Sequence, residues 1–190
     1  MTFNPTLRRG LSAVILAAGA SMLASPPAGH TQAAKAAADL VLVDSRDRHA
    51  VRNVNNVLTL YQMMINENKA KEGTAKFLDP GYVQHNPLIA DGPAALGKYF
   101  ADVKAAHPGA HVVVHRIIAV GDYVFAHVNF INLLTDDLAD TGIAGVDIYK
   151  MNAEGRAVEH WDALEIVGNP KNSAPWVGPN IPRVNSNGMF

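Results

Sequence analysis

The chain has 190 residues, of which 48% are hydrophobic, and its formal net charge at pH 7 is −1. This composition is enough for one domain with a hydrophobic core, and the near-neutral charge gives no electrostatic reason to expect nucleic acid or an anionic membrane as a partner. The absence of cysteine excludes disulfides, thiolate metal sites and cysteine nucleophiles.

The first 33 residues have the anatomy of an export signal followed by a linker. Arg8 and Arg9 precede an apolar run, Leu11–Ala20, that is too short to span a bilayer as a mature helix. Small residues follow, and cleavage is expected after Ala20 or after Ala33. The segment therefore predicts a periplasmic or secreted protein with no membrane association after removal of the leader. An alanine-rich leader on a cytoplasmic protein is the alternative.

The next part of the chain opens the predicted folded domain, residues 34–170, and has the spacing of helices. Apolar residues recur every three or four positions in amphipathic segments. Helices are predicted over His49–Asn66, over Lys69–Phe77 before the breaker Asp79-Pro80-Gly81, and from Pro93 to the stop at His107-Pro108-Gly109. The polar segment Tyr82–Pro87 lies between helices, where binding residues are common, although a plain surface loop fits it equally well.

From His111 onward the spacing changes to that of strands. Strands are predicted over His111–Ala119 and Tyr123–Leu134, a polar loop over Thr135–Asp140, and a hairpin over Gly142–Asp162. Gly155 in the hairpin turn suits a left-handed backbone position. Because helices precede antiparallel strands, the sequence predicts an α+β domain in which helices cover one face of a curved sheet. Residues 171–190 are predicted to be an irregular C-terminal arm.

Four titratable side chains are predicted to meet on the helix-covered face. Side chains alternate along a strand, so His160 and Asp162 share a face. If the hairpin turn adds no extra residue to either strand, Asp147 lies roughly opposite His160. If the loop around Asp137 likewise joins its two strands without an offset, His127 lies opposite Asp147. A bulge would shift this register by one residue and move part of the set to the other face. A solvated sheet face is the alternative.

These residue types suit acid–base chemistry in an apolar pocket. Asp162 is the candidate general base or else a structural acceptor, and Asp147 is expected to orient a histidine. His160 either orients Asp162 or faces a ligand, and His127 is either a core histidine or a catalyst. A metal site from these side chains is chemically possible, but no compact motif such as His-Glu-x-x-His occurs, so no metal is predicted.

The opposite face of the sheet is predicted to be apolar. It is assigned Val124, Val128, Phe130, Val146, Ile148 and Trp161. Because helices already cover the first face, we expect a second copy of the chain to bury this one by sheet-on-sheet packing. We therefore expect a homodimer through the outer face.

Several segments of the chain resemble one family, the SnoaL-like polyketide cyclases of the nuclear transport factor 2-like superfamily. The segments are Gly121–His127, Val146–Tyr149, Val158–Asp162 and, after the second helix, Tyr82–Pro87. The similarity covers about Val51 to Val167, with a further match at Asn187–Phe190. The resemblance implies an α+β cone, a curved antiparallel sheet wrapped around helices, in proteins that are usually dimeric.

The resemblance also implies an activity. Characterised members close a ring by intramolecular aldol condensation without metal or cofactor, and their acid/base aspartate matches Asp162. The chain is thus expected to be a cofactor-independent lyase or isomerase that acts on a small hydrophobic carbonyl compound. A non-catalytic exported small-molecule-binding protein with the same cavity is the alternative. The predicted catalytic residues are Asp162, His160, Asp147 and His127. The predicted substrate-binding residues are His85, Asn86, Tyr82, Asn129, Phe125 and Trp161, with Asn129 standing where many relatives carry a second histidine.

Overall fold

The computed structural model describes residues 41–167, and the predicted signal segment and C-terminal arm lie outside this range. The helices are α1 (Arg48–Tyr61), α2 (Ala70–Phe77) and α3 (Pro93–Ala106). The strands are β1 (Val41–Leu42), β2 (Leu78–Gln84), β3 (His111–Val120), β4 (Tyr123–Ile131), β5 (Ile143–Met151) and β6 (Ala157–Ile166). The predicted α+β class is confirmed. No helix between residues 41 and 167 is both long and apolar enough to cross a membrane.

Helix α1 begins where its sequence allows a cap. Asp47 precedes it, and its carboxylate accepts hydrogen bonds from the backbone N–H groups of His49 and Ala50, both at 3.0 Å. The apolar stripe predicted from the spacing faces the core, where Val54, Val57 and Leu60 are each 1% exposed. The helix then widens into a π-helical turn, Gln62–Asn66, which buries Met64 and Ile65. Single π turns occur often at functional sites.

The six strands form one sheet in the order β1-β3-β4-β5-β6-β2. Strands β3 to β6 pair as an antiparallel meander, whereas β1 and β2 pair in parallel at the two edges. Helix α2 ends at Phe77, before Asp79-Pro80-Gly81, as predicted. The placement of Tyr82–Gln84 in a segment without regular structure is wrong, because residues 78–84 form β2. An edge strand tolerates proline, and the pairing of β2 with β6 is irregular between Leu78 and Val83, around Pro80.

The register of β4 against β5 differs by one residue from the prediction. Asp147 pairs with Ala126 and not with His127, which pairs with Val146. Because side chains alternate, this single step turns His127 away from the helices. The inner positions of β4 are instead apolar, and Val124, Ala126 and Val128 are fully buried.

The hairpin of β5 and β6 keeps the predicted face despite a different register. Asp147 pairs with Asp162, and Tyr149 pairs with His160. The turn and a register shift next to Met151 each displace the pairing by one residue. Because side chains alternate between faces along a strand, two one-residue displacements leave Asp147, His160 and Asp162 on the same face, as predicted. Gly155 adopts the predicted left-handed conformation, with φ +79°.

The sheet therefore has a helix-facing side and an outer face, and we define the outer face by Ile118, Tyr123, Phe125, Val146 and Trp161. Val146 is 45% exposed, and Ile118 and Phe125 are each 37% exposed. The prediction that Val124, Val128 and Phe130 belong to this outer face is wrong, because they pack in the core.

Candidate active site

A small cavity of about 50 Å³ lies between the helices and the sheet. Its polar lining residues are Tyr61, Gln84, Asn86, Tyr99, Asp147, Tyr149, His160 and Asp162. The apolar remainder includes Met64, Leu96, Phe100 and Phe130, from the π turn, α3 and β4. Leu164, which is 43% exposed, also lines the cavity and marks its solvent side. In this form the cavity has room for a few water molecules or one small organic group.

Asp147 forms the floor of the site and is only 2% exposed. The hydroxyl of Tyr61, at the end of α1, donates a hydrogen bond to its Oδ2 atom. Burial raises the pKa of Tyr61 well above its usual value, and the charge of Asp147 adds to this shift. The ring of Tyr61 meets Tyr149 edge-on at 6.0 Å. The Asp147 carboxylate is thus held by a tyrosine that stays protonated.

The hydrogen bonds around Gln84 determine the tautomer of His160. The backbone N–H of Asn86 donates to Gln84 Oε1 at 2.9 Å, which identifies that atom as the oxygen, and Gln84 Nε2 donates to Tyr82 at 3.1 Å. The same Oε1 lies 3.0 Å from Nδ1 of His160. An oxygen can only accept here, so Nδ1 carries a hydrogen.

The other ring nitrogen of His160 is therefore the reactive one. Nε2 is buried, lies 3.9 Å from Asp147 Oδ1 and has no hydrogen-bond partner among residues 41–167. The imidazole ring packs against Tyr149 with centroids 4.5 Å apart. In the neutral form Nε2 presents a lone pair, and in the protonated form it presents an N–H next to the Asp147 carboxylate.

Asp162 stands at the more exposed end of the same face. Asn86 Nδ2 donates to Asp162 Oδ2 at 2.8 Å, and Asn86 Oδ1 accepts from the backbone N–H of Leu88 at 3.0 Å. Asn86 is itself 8% exposed, so it holds the carboxylate from a fixed position. The second oxygen of Asp162 has no such bond to Asn86 and is available to a ligand.

The three titratable groups converge. One atom each of Asp147, His160 and Asp162 lies within 4.8 Å of the others. Across the described part of the chain, no lysine or arginine lines the cavity. Burial raises the pKa of Tyr82 and Tyr149, and the charge of Asp147 adds to both shifts. The site therefore combines two acids and an imidazole in apolar surroundings, which suits proton transfer.

The fourth predicted member of this cluster, His127, does not line the cavity. It lies on the outer face, where Arg116 donates a hydrogen bond to its Nδ1 atom at 2.9 Å. Partial burial lowers the pKa of His127, and the charge of Arg116 adds to the effect. Its predicted place in the cluster is wrong because of the one-residue register difference between β4 and β5.

Of the predicted substrate-binding residues, only Asn86 lines the cavity. His85 stacks on Trp161 with centroids 4.8 Å apart, and its Nε2 lies 2.9 Å from Glu159. Phe125 is 37% exposed on the outer face. The remaining two have structural contacts: Tyr82 supports Gln84, and Asn129 Nδ2 donates to the carbonyl of Thr141.

Four polar residues of the site were not identified from the sequence: Tyr61, Gln84, Tyr99 and Tyr149. Tyr61 belonged to the apolar stripe of α1, where its hydroxyl was the one polar group. Gln84 lay in the polar segment Tyr82–Pro87, next to two residues that were selected. Tyr149 lies two positions after Asp147, on the same face. The sequence shows these polar side chains, but it does not indicate which other side chains they contact.

Comparison with known proteins identifies a family to which most of the described residues belong. Residues 57–160 match the model of the SnoaL-like domain, which is more than half of the chain. The matched range contains Tyr61, Gln84, Asn86, Asp147 and His160, and it ends two residues before Asp162. No curated protein matches the chain.

Solved structures share the fold. A candidate polyketide cyclase from Bacillus cereus ATCC 10987 superposes with a TM-score of 0.56 at 17% identity, covering 66% of this chain and 83% of that one. A candidate SnoaL-like polyketide cyclase from Jannaschia sp. CCS1 gives 0.51 at 16% identity, covering 74% and 99%. A protein of unknown function from Mesorhizobium loti, described as NTF2-like, gives 0.51 at 13% identity, covering 65% and 98%. At these identities the likeness shows a common fold.

Proposed function

Because the chain belongs to the SnoaL-like domain family, and because its cavity holds two acids beside an imidazole, we propose that it is a lyase or isomerase of acid–base type. Its substrate is a small hydrophobic carbonyl compound, from which Asp162 removes a proton bound to the carbon next to the carbonyl group. The observation that carries this proposal is the partly buried Asp162 carboxylate, which lines an apolar cavity and has one oxygen held by Asn86.

The chemistry requires a base and a group that receives the developing charge. Asp162 takes the proton, and the electron pair of the C–H bond moves to the carbonyl oxygen, giving an enolate. The second hydrogen of Asn86 Nδ2, or His160 when Nε2 is protonated, can donate to that oxygen. Asp147 Oδ1 lies 3.9 Å from His160 Nε2, beside the position where that N–H would meet the substrate oxygen. The enolate carbon then attacks a second carbonyl carbon, whose oxygen takes the proton held by Asp162, or that proton returns to a different carbon of the substrate.

The test is exchange of carbon-bound protons for deuterium in heavy water, followed by NMR over a panel of ketones and aldehydes. Asp162→Asn keeps an acceptor for Asn86 but removes the base, and we expect exchange to fall by about 10²- to 10⁴-fold. Asp102→Asn is the matched control, because Asp102 is an exposed α3 residue paired with Lys98. Unchanged exchange in a folded Asp162→Asn protein would refute the proposed role.

A second candidate function is small-molecule binding without catalysis. It is favoured by the small, mostly apolar cavity and by hydrogen bonds that already occupy Asp147, Gln84 and Asn86. Saturable binding of a panel compound with no proton exchange would support it. In either case we propose that the protein is exported, and the mass of the mature protein should show cleavage after Ala20 or Ala33.

We also propose that two copies associate through the outer face. Its exposed apolar residues, Ile118, Phe125 and Val146, are neighbours on adjacent strands and form the kind of patch that marks an interface. Phe125→Asp should convert a dimer into a monomer in sedimentation experiments. Leu138→Asp, at a fully exposed position in the loop between β4 and β5, is the control and should leave the dimer intact.

A further inference from the structure

We propose that Asp147, His160 and Asp162 form a binding site for a divalent transition-metal ion such as Zn²⁺ or Mn²⁺. The ligands come from two neighbouring strands, Asp147 from β5 and the other two from β6. This explains why no compact ligand motif is visible in the sequence. Two carboxylate oxygens and one imidazole nitrogen are a donor set that these ions accept.

The spacing of the donor atoms suits one ion. The three atoms lie within 4.8 Å of one another, and His160 Nε2 is 3.9 Å from Asp147 Oδ1. In the tetrahedral geometry of Zn²⁺, with bonds of about 2.0–2.2 Å, neighbouring ligand atoms lie roughly 3.4 Å apart. The His160–Asp147 spacing must therefore close by about 0.5 Å and the widest spacing by about 1.4 Å, which requires a side-chain rotation of the partly buried Asp162.

Each of the three side chains has a supporting hydrogen bond with a neighbouring residue. Tyr61 holds Asp147 Oδ2, and Asn86 holds Asp162 Oδ2. Gln84 accepts from Nδ1 of His160, which directs the Nε2 lone pair towards the carboxylates. Such supporting hydrogen bonds are typical of metal-binding side chains, where they fix the tautomer and the orientation of the ligand.

The buried Nε2 atom of His160 gives an independent indication of a ligand-binding position. Its side chain is 8% exposed, and the Nε2 atom is buried without a hydrogen-bond partner among the described residues. A buried polar atom normally has a partner, because leaving one unpaired is costly. A cation at this point would accept the Nε2 lone pair. It would also neutralise the charges of Asp147 and Asp162, which have no lysine or arginine beside them in the cavity lining.

Metal binding and proton abstraction would exclude each other, because Asp162 cannot be both a ligand and a free base. The site thus adds regulation to the proposed function: a bound Zn²⁺ ion should block exchange, and a chelator should restore it. The binding itself is measured without substrate, so it stands or fails separately from the activity.

The experiment is calorimetric titration of the untagged full chain with Zn²⁺, Mn²⁺ and Mg²⁺. We expect one Zn²⁺ ion per chain, with Mg²⁺ weaker because imidazole is a poor ligand for it. Asp162→Asn should weaken Zn²⁺ binding by at least tenfold. Gln84→Leu removes the support of His160 together with the hydrogen bonds to Tyr82 and the Asn86 backbone, and should weaken binding by about 10- to 100-fold. Asp102→Asn should bind as the parent does.

Two results would overturn the site: no stoichiometric binding, or binding that Asp162→Asn and Gln84→Leu leave unchanged. Zn²⁺ binding that leaves proton exchange intact would overturn the exclusion between metal and base. Zn²⁺ binding in a protein that exchanges no protons with any compound would uphold the metal site and count against the proposed function.

Discussion

Replacing Tyr61 by phenylalanine removes one hydroxyl and keeps the ring. In the parent protein that hydroxyl donates to Asp147 Oδ2, and both residues are 2% exposed. A hydrogen bond to a charged group contributes about 1.5–3 kcal/mol, and a buried acceptor left without a donor loses that contribution. The edge-on contact of the ring with Tyr149 is retained. We therefore expect the free energy of unfolding to fall by about 2 kcal/mol.

For a chain of this size, a loss of 2 kcal/mol lowers the melting temperature by about 4–8 °C. Thermal unfolding followed by circular dichroism at neutral pH measures this directly. Tyr99→Phe is the matched control, because its half-buried hydroxyl also borders the cavity but makes no hydrogen bond within the described range. If both variants melt at the parent temperature, the Tyr61–Asp147 bond does not stabilise the fold and our account of the floor of the site is incorrect.

Three further outcomes are expected. Burial, and after it the charge of Asp147, raise the pKa of Tyr61 and Tyr149 above the ordinary 10.0. Above pH 10 the unfolded chain therefore binds fewer protons than the folded chain, so the free energy of unfolding should fall as the pH rises. Tyrosinate absorbance should appear together with the loss of circular dichroism. Gly97→Ala places a Cβ atom 2.6 Å from Thr74 Oγ1, between α2 and α3, and overpacking there should cost about 1–3 kcal/mol in urea unfolding. Asp47→Ala removes the cap of α1 and should cost about 1 kcal/mol in the same assay, with Asp47→Ser close to the parent value.

Local patterns were sufficient for the helices and for the four antiparallel strands that follow them. The apolar spacing of α1, the proline that opens α3 and the glycine of the hairpin turn each act over a few residues, and the structure confirms all three. Strand β2 was missed because Asp79-Pro80-Gly81 disfavours a central strand, and only its place at the sheet edge makes the segment tolerable.

The site depended on register, which local patterns do not determine. That His160 and Asp162 share a face was predictable, because both lie on one strand two residues apart. Asp147 lies on the same face because two one-residue shifts in the β5–β6 pairing cancel. His127 was lost because a single shift remains between β4 and β5. The apolar character of Val124, Ala126 and Val128 was the available signal, since the more apolar side of a strand packs against helices.

By itself the sequence determined the helices and the four strands of the meander, and that two acids and an imidazole would meet on one strand pair, because these features follow from periodicities of a few residues. Only the tertiary structure decided which side chains complete the site. Tyr61, Gln84 and Asn86 reach it from elements distant in the chain, and a one-residue step in strand pairing, set by the packing of the whole core, selects Ala126 over His127.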